Sequence, residues 1–302
     1  MKAATKVLNL GLVALVCLFF TNARTHAVDI YVSNPTNDTI QRIDSSGHVS
    51  LFANSGLDAN AGLAFDSSGY LYTANGGYWP SNTIVKFDSS GHGSVFASPP
   101  VAGPVPLAFD SSGNLYAANL VLSPTIVKLD SGGNWFVFAN SGLDDPFGLA
   151  FDRNGYLYVA NEGNDTIVKF DSSGNWSLFA NSGLHYPAGL AFDGSGNLYV
   201  ANLNNTIVKF DSSGNGTLFA DSGLDKPTGL AFDGDGNLYV ANYGNDTVVK
   251  FDPSGNWSVF ADASSGLDNP FGIAVPEPAT WAMVAMGICA LLATRRLRRR
   301  SP

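Results

Sequence analysis

Cysteine is almost absent from this chain: its 302 residues include two, Cys17 and Cys289, and both sit in apolar terminal stretches. The body between them can form no disulfide and offers no thiolate ligand or nucleophile, so its stability must come from packing. Charge is scarce as well, at 14% of residues, and half of the positive charge lies at the ends. Lys2, Lys6 and Arg24 open the chain, and Arg295, Arg296, Arg298, Arg299 and Arg300 close it. Residues 28–275 therefore carry eight basic against 24 acidic side chains, a net −16. Phosphate binding needs clustered Lys and Arg, so nucleic acid is excluded as a partner. Within the body, glutamate occurs once (Glu162) and histidine three times (His48, His92, His185). Long apolar runs occur only at the two ends, which excludes a multi-pass membrane protein. The 20 Phe and 11 Tyr exclude a disordered chain.

The ends read as addresses. Lys2 and Lys6 supply a positive n-region and Val7 to Phe20 an apolar core. Thr25-His26-Ala27 fits a cleavage site, so residues 1–27 are expected to be a signal peptide; an uncleaved anchor helix is the alternative. At the other end, Pro276-Glu277-Pro278 precedes an apolar stretch from Trp281 to Thr294 and then the arginine cluster. That stretch is shorter than the roughly 20 residues of a full membrane span. Motif, apolar run and arginines in this order resemble the PEP-CTERM sorting signal of Gram-negative bacteria. The resemblance implies an exosortase-type membrane protease as partner, transient anchoring by a short transmembrane segment, and release to the cell surface or beyond. An ordinary C-terminal anchor is the alternative.

The body is one unit repeated. A Leu-Tyr-Val-Ala-Asn type segment ends at Asn34, Asn75, Asn119, Asn161, Asn202 and Asn242. Thr-Ile-Val-Lys-Phe, Ser-Leu-Phe-Ala and Gly-Leu-Ala-Phe segments accompany each copy. All four are short, rich in β-branched and aromatic residues, and bounded by Asp, Ser, Gly and Asn, so each predicts a strand entering a tight turn. Four hairpin-linked strands every 40–44 residues describe a blade, and six copies describe a six-bladed β-propeller over residues 28–275. The body begins with a second strand and ends with a first, 272–275. A closed ring needs this arrangement, because the C-terminal strand then completes the N-terminal blade and removes two free edges. An open solenoid would not need it.

The run Pro187 to Asn202, followed by Asn-Thr-Ile-Val-Lys-Phe-Asp, resembles the NHL repeat, and also the calcium-dependent lactonases of the gluconolactonase (SMP-30-like) superfamily. The lactonase resemblance implies a metal site with a Glu from the first innermost strand and Asn or Asp from later blades. The one body glutamate, Glu162, follows a second strand instead, so the first ligand is not matched. Glu162, Asn202 and Asn242 are the residues left to hold such a metal.

Repetition sorts the remaining candidates, since a unique site needs residues that break the repeat. The six strand-ending asparagines are turn-forming by this test, yet they should ring one face and offer a polar rim to a ligand. Tyr78, Trp79, Glu162, Tyr186 and Tyr243 break the repeat beside them, and aromatic rings next to amides suit a sugar or peptide. The row Arg42, Lys86, Lys128, Lys169, Lys209, Lys250 is read as a structural ladder against repeated Asp. His48 and His92 follow third strands whereas His185 lies between blades, so the three cannot converge on zinc. The expected protein is an exported, monomeric surface or matrix propeller. It would bind a glycan such as exopolysaccharide, a peptide or a surface protein, with a divalent cation such as calcium held by its acidic surface. A metal-dependent lactonase or hydrolase is the rival reading.

Overall fold

The computed structural model describes residues 28–76, 82–98, 104–119 and 123–276. Among these, 24 strands form six four-stranded antiparallel sheets. Blade 1 spans 60–97, blade 2 spans 104–139, blade 3 spans 146–180, blade 4 spans 187–220 and blade 5 spans 227–261. Blade 6 joins Ile30–Asn34, Thr39–Ile43 and Val49–Ala53 to Ile273–Ala274 from the far end of the chain. The closing strand is thus two residues long rather than the expected four, pairing Val32 with Ile273 and Tyr31 with Ala274. Phe271 and Gly272 still take part, through backbone bonds to Ser33 of 2.9 and 3.0 Å. The expected signal peptide 1–27, and Glu277, Pro278 and the apolar segment after them, lie outside the described residues.

Burial is greatest at the second strand and falls outward from it, and composition follows. The second strand of blades 1 to 5 is buried at all five positions. Such a strand must be almost wholly apolar, as Leu-Tyr-Val-Ala is. Third strands half-bury their Lys, and outer strands bury only their final Ala. In blade 3, Ile167 pairs with Ala180 but Val168 with Leu178, so Phe179 is an extra, bulged residue. The bulge turns Phe179 back into the molecule. There it meets Tyr158 edge-on at 4.9 Å, while Phe192 of blade 4 meets the other side of the same ring at 5.0 Å. The Tyr–Phe–Phe unit recurs around the ring and joins neighbouring blades, each edge-on pair contributing about 1 kcal/mol beyond its area.

Turn chemistry fixes the strand order. In Asp171-Ser172-Ser173-Gly174-Asn175, Asp171 Oδ1 accepts from the Ser173 and Asn175 amides at 2.8 and 3.0 Å. Gly174 supplies the left-handed φ of 82° that closes the loop. These hairpins lie on one face. The turns between second and third strands lie on the opposite face, together with the connections from each outer strand to the next blade; we term this the connection face. Chain entry at Val28 and exit at Pro276 both fall on the hairpin face, because there second strands begin and inner strands end.

Glycine closes the axis. A Cβ on Gly148 would collide with the Ala188 carbonyl of the next blade, one on Gly189 with Thr228, and one on Gly272 with Ala61. Inner strands therefore approach backbone to backbone. They leave an axial cavity of about 90 Å³ lined by these glycines and by Leu63, Leu149 and Leu190.

Candidate functional site

The connection face is built by a repeated clamp between blades. In five connections a non-glycine residue adopts a left-handed backbone: Ala59, Asp145, Tyr186, Lys226 and Asn269, with φ from 45° to 50°. That conformation costs roughly 1–2 kcal/mol and persists only where neighbours impose it. The neighbour is the turn of the preceding blade. Asp165 Oδ1 accepts from the Tyr186 amide at 2.6 Å, and Asn205 Oδ1 accepts from the Lys226 amide at 2.7 Å. Asp38 holds Ala59 and Asp246 holds Asn269 in the same way, both at 2.7 Å. Each holding residue is itself left-handed, the state that Asn and Asp tolerate best. Asp145, Tyr186 and Lys226 stand out from the face at their clamped positions, Tyr186 at 60% exposure, whereas Ala59 and Asn269 are half-buried.

The six strand-ending asparagines do not form the expected polar rim. Asn34, Asn75, Asn119, Asn161, Asn202 and Asn242 are all buried. Asn202 Nδ2 donates to the Gly183 carbonyl and to Thr206 Oγ1, both at 3.1 Å, and its Oδ1 accepts from the His185 amide at 3.1 Å. Asn75, Asn161 and Asn242 repeat the pattern on Gly56, Gly142 and Gly223. These amides staple each incoming connection to the blade it enters, so they are spent inside the protein. Backbone amides of His185 and Asp225 occupy the Oδ1 atoms of Asn202 and Asn242 in this way. In blade 6 a 3-10 turn, Ala263–Ser265, lengthens the connection, and Asn34 Oδ1 has no hydrogen-bond partner among the described residues.

Glu162 stands half-buried in an acidic quadrant of this face. Its amide donates to the Asp145 carbonyl at 3.0 Å, and the amide of Gly163 donates to the Asp144 carbonyl at 3.1 Å. Burial raises the Glu162 pKa above the usual carboxylate value, and the charges of Asp145 and Asp165 raise it further. Among the described residues no three His, Cys, Asp or Glu side chains are grouped as a metal site. His48 and His92 lie at hairpin turns, while His185 lies in a connection on the other face.

Two residues that sequence reasoning missed sit at the centre. Phe147 of blade 3 and Phe271 of blade 6 come from opposite sides of the ring, and their rings meet at 5.4 Å over the axial cavity. Tyr243 meets Phe271 edge-on at 6.3 Å. Ala61, Ala188 and Thr228 hold the same position in other blades, so the signal was a break in the repeat. Of the expected aromatic candidates, Tyr186 and Tyr243 lie on the connection face; Tyr78 and Trp79 fall outside the described residues.

The lysine row behaves as a ladder in part. Lys86 pairs with Asp66 at 3.7 Å, Lys128 with Asp110 at 3.4 Å and Lys209 with Asp193 at 3.6 Å. Arg42 pairs with Asp29 at 2.7 Å. Lys169 and Lys250 instead lie over tyrosine rings, at 4.1 Å from Tyr156 and 5.3 Å from Tyr239.

With this geometry in view, comparison with known proteins supports the repeat. Residues 224–251 match the NHL repeat. The match runs from the connection into blade 5 through its first three strands. No curated protein matches the chain. Among solved structures, a chain of a nidogen/laminin complex aligns with TM-score 0.73 at 19% identity, over 83% of this chain and 100% of that one. A gluconolactonase from Xanthomonas campestris aligns with TM-score 0.60 at 20% identity, over 71% of this chain and 79% of its own. Virginiamycin B lyase from Staphylococcus aureus aligns with TM-score 0.55 at 16% identity, over 78% of this chain and 74% of its own. At these identities the likeness shows a propeller fold. Binding proteins and enzymes both share it.

Proposed function

We propose that this chain is an exported surface or matrix propeller whose connection face binds a glycan, a peptide or another protein. The observation that carries the reading is where the repeat breaks. The glycine and leucine positions at the axis change only to Pro106 and Ile273, whereas Tyr186, Tyr243, Asp145, Glu162 and Lys226 bring unlike side chains to one face. Projecting aromatics beside acids and a single lysine are the material of a recognition surface. Residues 1–27 serve as the export signal in this reading. Residues 276–302, with Pro276, Glu277 and Pro278 as the motif, serve as a PEP-CTERM tail for an exosortase-type enzyme. Because the chain leaves the ring on the hairpin face, a tethered protein would turn its connection face away from the membrane. A divalent cation such as calcium fits the acidic quadrant around Glu162 as a surface counter-ion.

The test pairs glycan and peptide arrays with a lactone-hydrolysis screen and a calcium titration by calorimetry. Ligand capture that is lost in Tyr186→Gly, with no lactone turnover, is the expected result. Lactone turnover that needs metal and disappears in Glu162→Gln would overturn it in favour of a metal-dependent lactonase of the gluconolactonase-like class.

A further inference from the structure

The hairpin face holds a second candidate site, independent of the connection face. Between blades 3 and 4 lies a cavity of about 300 Å³, the lower end of the size range of small-molecule pockets. Tyr158, Phe179 and Phe192 form its apolar floor; Asp152, Arg153 and Asp193 stand in its wall. The floor is the repeated Tyr–Phe–Phe unit, but the wall is particular to this interface. Where other blades turn through Ser67, Ser111, Gly194 or Gly234, blade 3 has Arg153.

The neighbouring carboxylate is also unlike its counterparts. Asp110 and Asp193 each receive an Asn side chain and a Lys, Asp66 receives Lys86 and the Tyr72 hydroxyl, and Asp233 receives Asn237 and the Tyr239 hydroxyl. Asp152 receives neither: Tyr156 replaces the Asn, and Lys169 lies over the Tyr156 ring instead. Its Oδ1 caps the Asn154 and Tyr156 amides at 2.9 Å, which leaves Oδ2 facing only the Tyr158 phenol, whose pKa is pushed up to about 12 by burial and by this charge. Arg153 makes no hydrogen bond or ion pair among the described residues, and its Nη2 reaches towards Gly194 across the blade boundary. The wall thus offers a carboxylate oxygen shared only with the Tyr158 hydroxyl, and a free fork of donors beside it, above an aromatic floor.

We propose that this cavity binds one or two rings of a neutral hexose saccharide. Vicinal hydroxyls can donate to Asp152 and accept from Arg153 at once, and the C–H face of the ring can lie on the aromatic floor. Uronic acids meet the carboxylates of Asp152, Asp193 and Asp211, and amino sugars meet the guanidinium of Arg153. The site and the connection face lie on opposite sides of the ring, so either can fail without the other.

The experiment is calorimetry on the full chain, held in a detergent without a sugar headgroup. The probes are glucose, galactose, mannose and their 1,4-linked homodimers, with glucuronate and glucosamine as charged controls. At least one neutral probe is expected to bind, and Arg153→Ser to weaken it about tenfold by removing charge-assisted bonds. That variant keeps the ring, since Ser67 and Ser111 already occupy the same turn position. Asp152→Asn, which retains an oxygen to cap the turn, is expected to weaken binding as well. Tyr186→Gly tells the two faces apart: sugar binding that is lost in that variant and kept in Arg153→Ser would place the saccharide on the connection face and overturn the proposal. Absence of binding by every neutral probe, preference for glucosamine, or equal affinity in Arg153→Ser would each overturn the proposal.

Discussion

Ser33 Oγ accepts from the Gly272 amide at 2.8 Å and donates to the Ala61 carbonyl at 2.6 Å. One hydroxyl therefore ties the last inner strand to the first second strand and to blade 1. Its equivalents in blades 1 to 5 are Ala74, Ala118, Ala160, Ala201 and Ala241, so the serine appears only where the ring is closed by two ends of the chain. Ser33→Ala leaves a buried donor and acceptor unpaired and is expected to cost about 2–3 kcal/mol. For a ring of this size that is a fall in Tm of roughly 5–10 °C. Deleting the chain from Gly272 onward removes the strand altogether and is expected to lower stability far more. An unchanged Tm in the truncated protein would refute ring closure.

Tyr186 separates stability from binding. Its left-handed backbone is held by Asp165, so Tyr186→Gly keeps the clamp and removes the steric cost. A gain of about 1 kcal/mol is expected from the backbone alone. Asp165→Ala acts oppositely, because it frees the Tyr186 amide and is expected to cost about 1–2 kcal/mol. Thermal melts of the two variants should therefore move in opposite directions. Ligand capture on the connection face should fall in Tyr186→Gly despite its higher Tm. A stabilised variant with undiminished capture would remove Tyr186 from the surface.

What the sequence made legible was whatever repeats. Six copies of Leu-Tyr-Val-Ala-Asn announce six buried second strands, and the broken repeats at Ile30 and Gly272 announce the shared blade. The repeat also misled, because the asparagines that end those strands look like a rim until Asn202 is seen to spend its whole amide on Gly183, Thr206 and His185. Burial of a polar end cannot be told from exposure by periodicity alone. Phe147 and Phe271 were hidden for another reason. They lie 124 positions apart, and only the diameter of the ring brings them to 5.4 Å. Arg153 stands in the sequence where other blades turn through Ser or Gly. Its cavity was not legible there, since that forms only where blades 3 and 4 meet in space.

Glu162 sets the first of two pH effects. Its folded-state pKa is raised, so the fold binds this proton more tightly than the unfolded chain does. Its stabilising contribution is therefore present below the unfolded value of about 4.5 and lost as pH rises through the folded value. Glu162→Gln removes the charge among Asp145 and Asp165 at neutral pH. With half-exposed groups screened by water, a gain of only about 1–2 °C in Tm is expected at pH 7. The two proteins should melt together near pH 4. A variant that melts below wild type at pH 7 would show Glu162 to be stabilising in its charged form.

Acid acts in the other direction through the hairpins. Asp130, Asp171, Asp211 and Asp252 are held below the usual carboxylate pKa by the side chains of Asn134, Asn175, Asn215 and Asn256, and then by backbone amides of the same turns. Ser46 does this for Asp44, and the His92 amide for Asp88. Asp193 is depressed too: burial alone would raise it, but the Asn197 bonds and Lys209 outweigh burial. A depressed folded pKa gives stability that is complete above the unfolded value of about 3.9 and is lost as pH falls through the folded values. Because one such turn recurs in every blade, the losses should fall together. Calorimetric Tm is expected to hold from pH 7 to about 4, apart from the small Glu162 gain, and then to drop steeply towards pH 2. Asp171→Asn keeps the Oδ1 acceptor but not the charge, and should flatten the acid limb slightly. A Tm that stays level to pH 2 would mean that these turns do not depend on ionised aspartate.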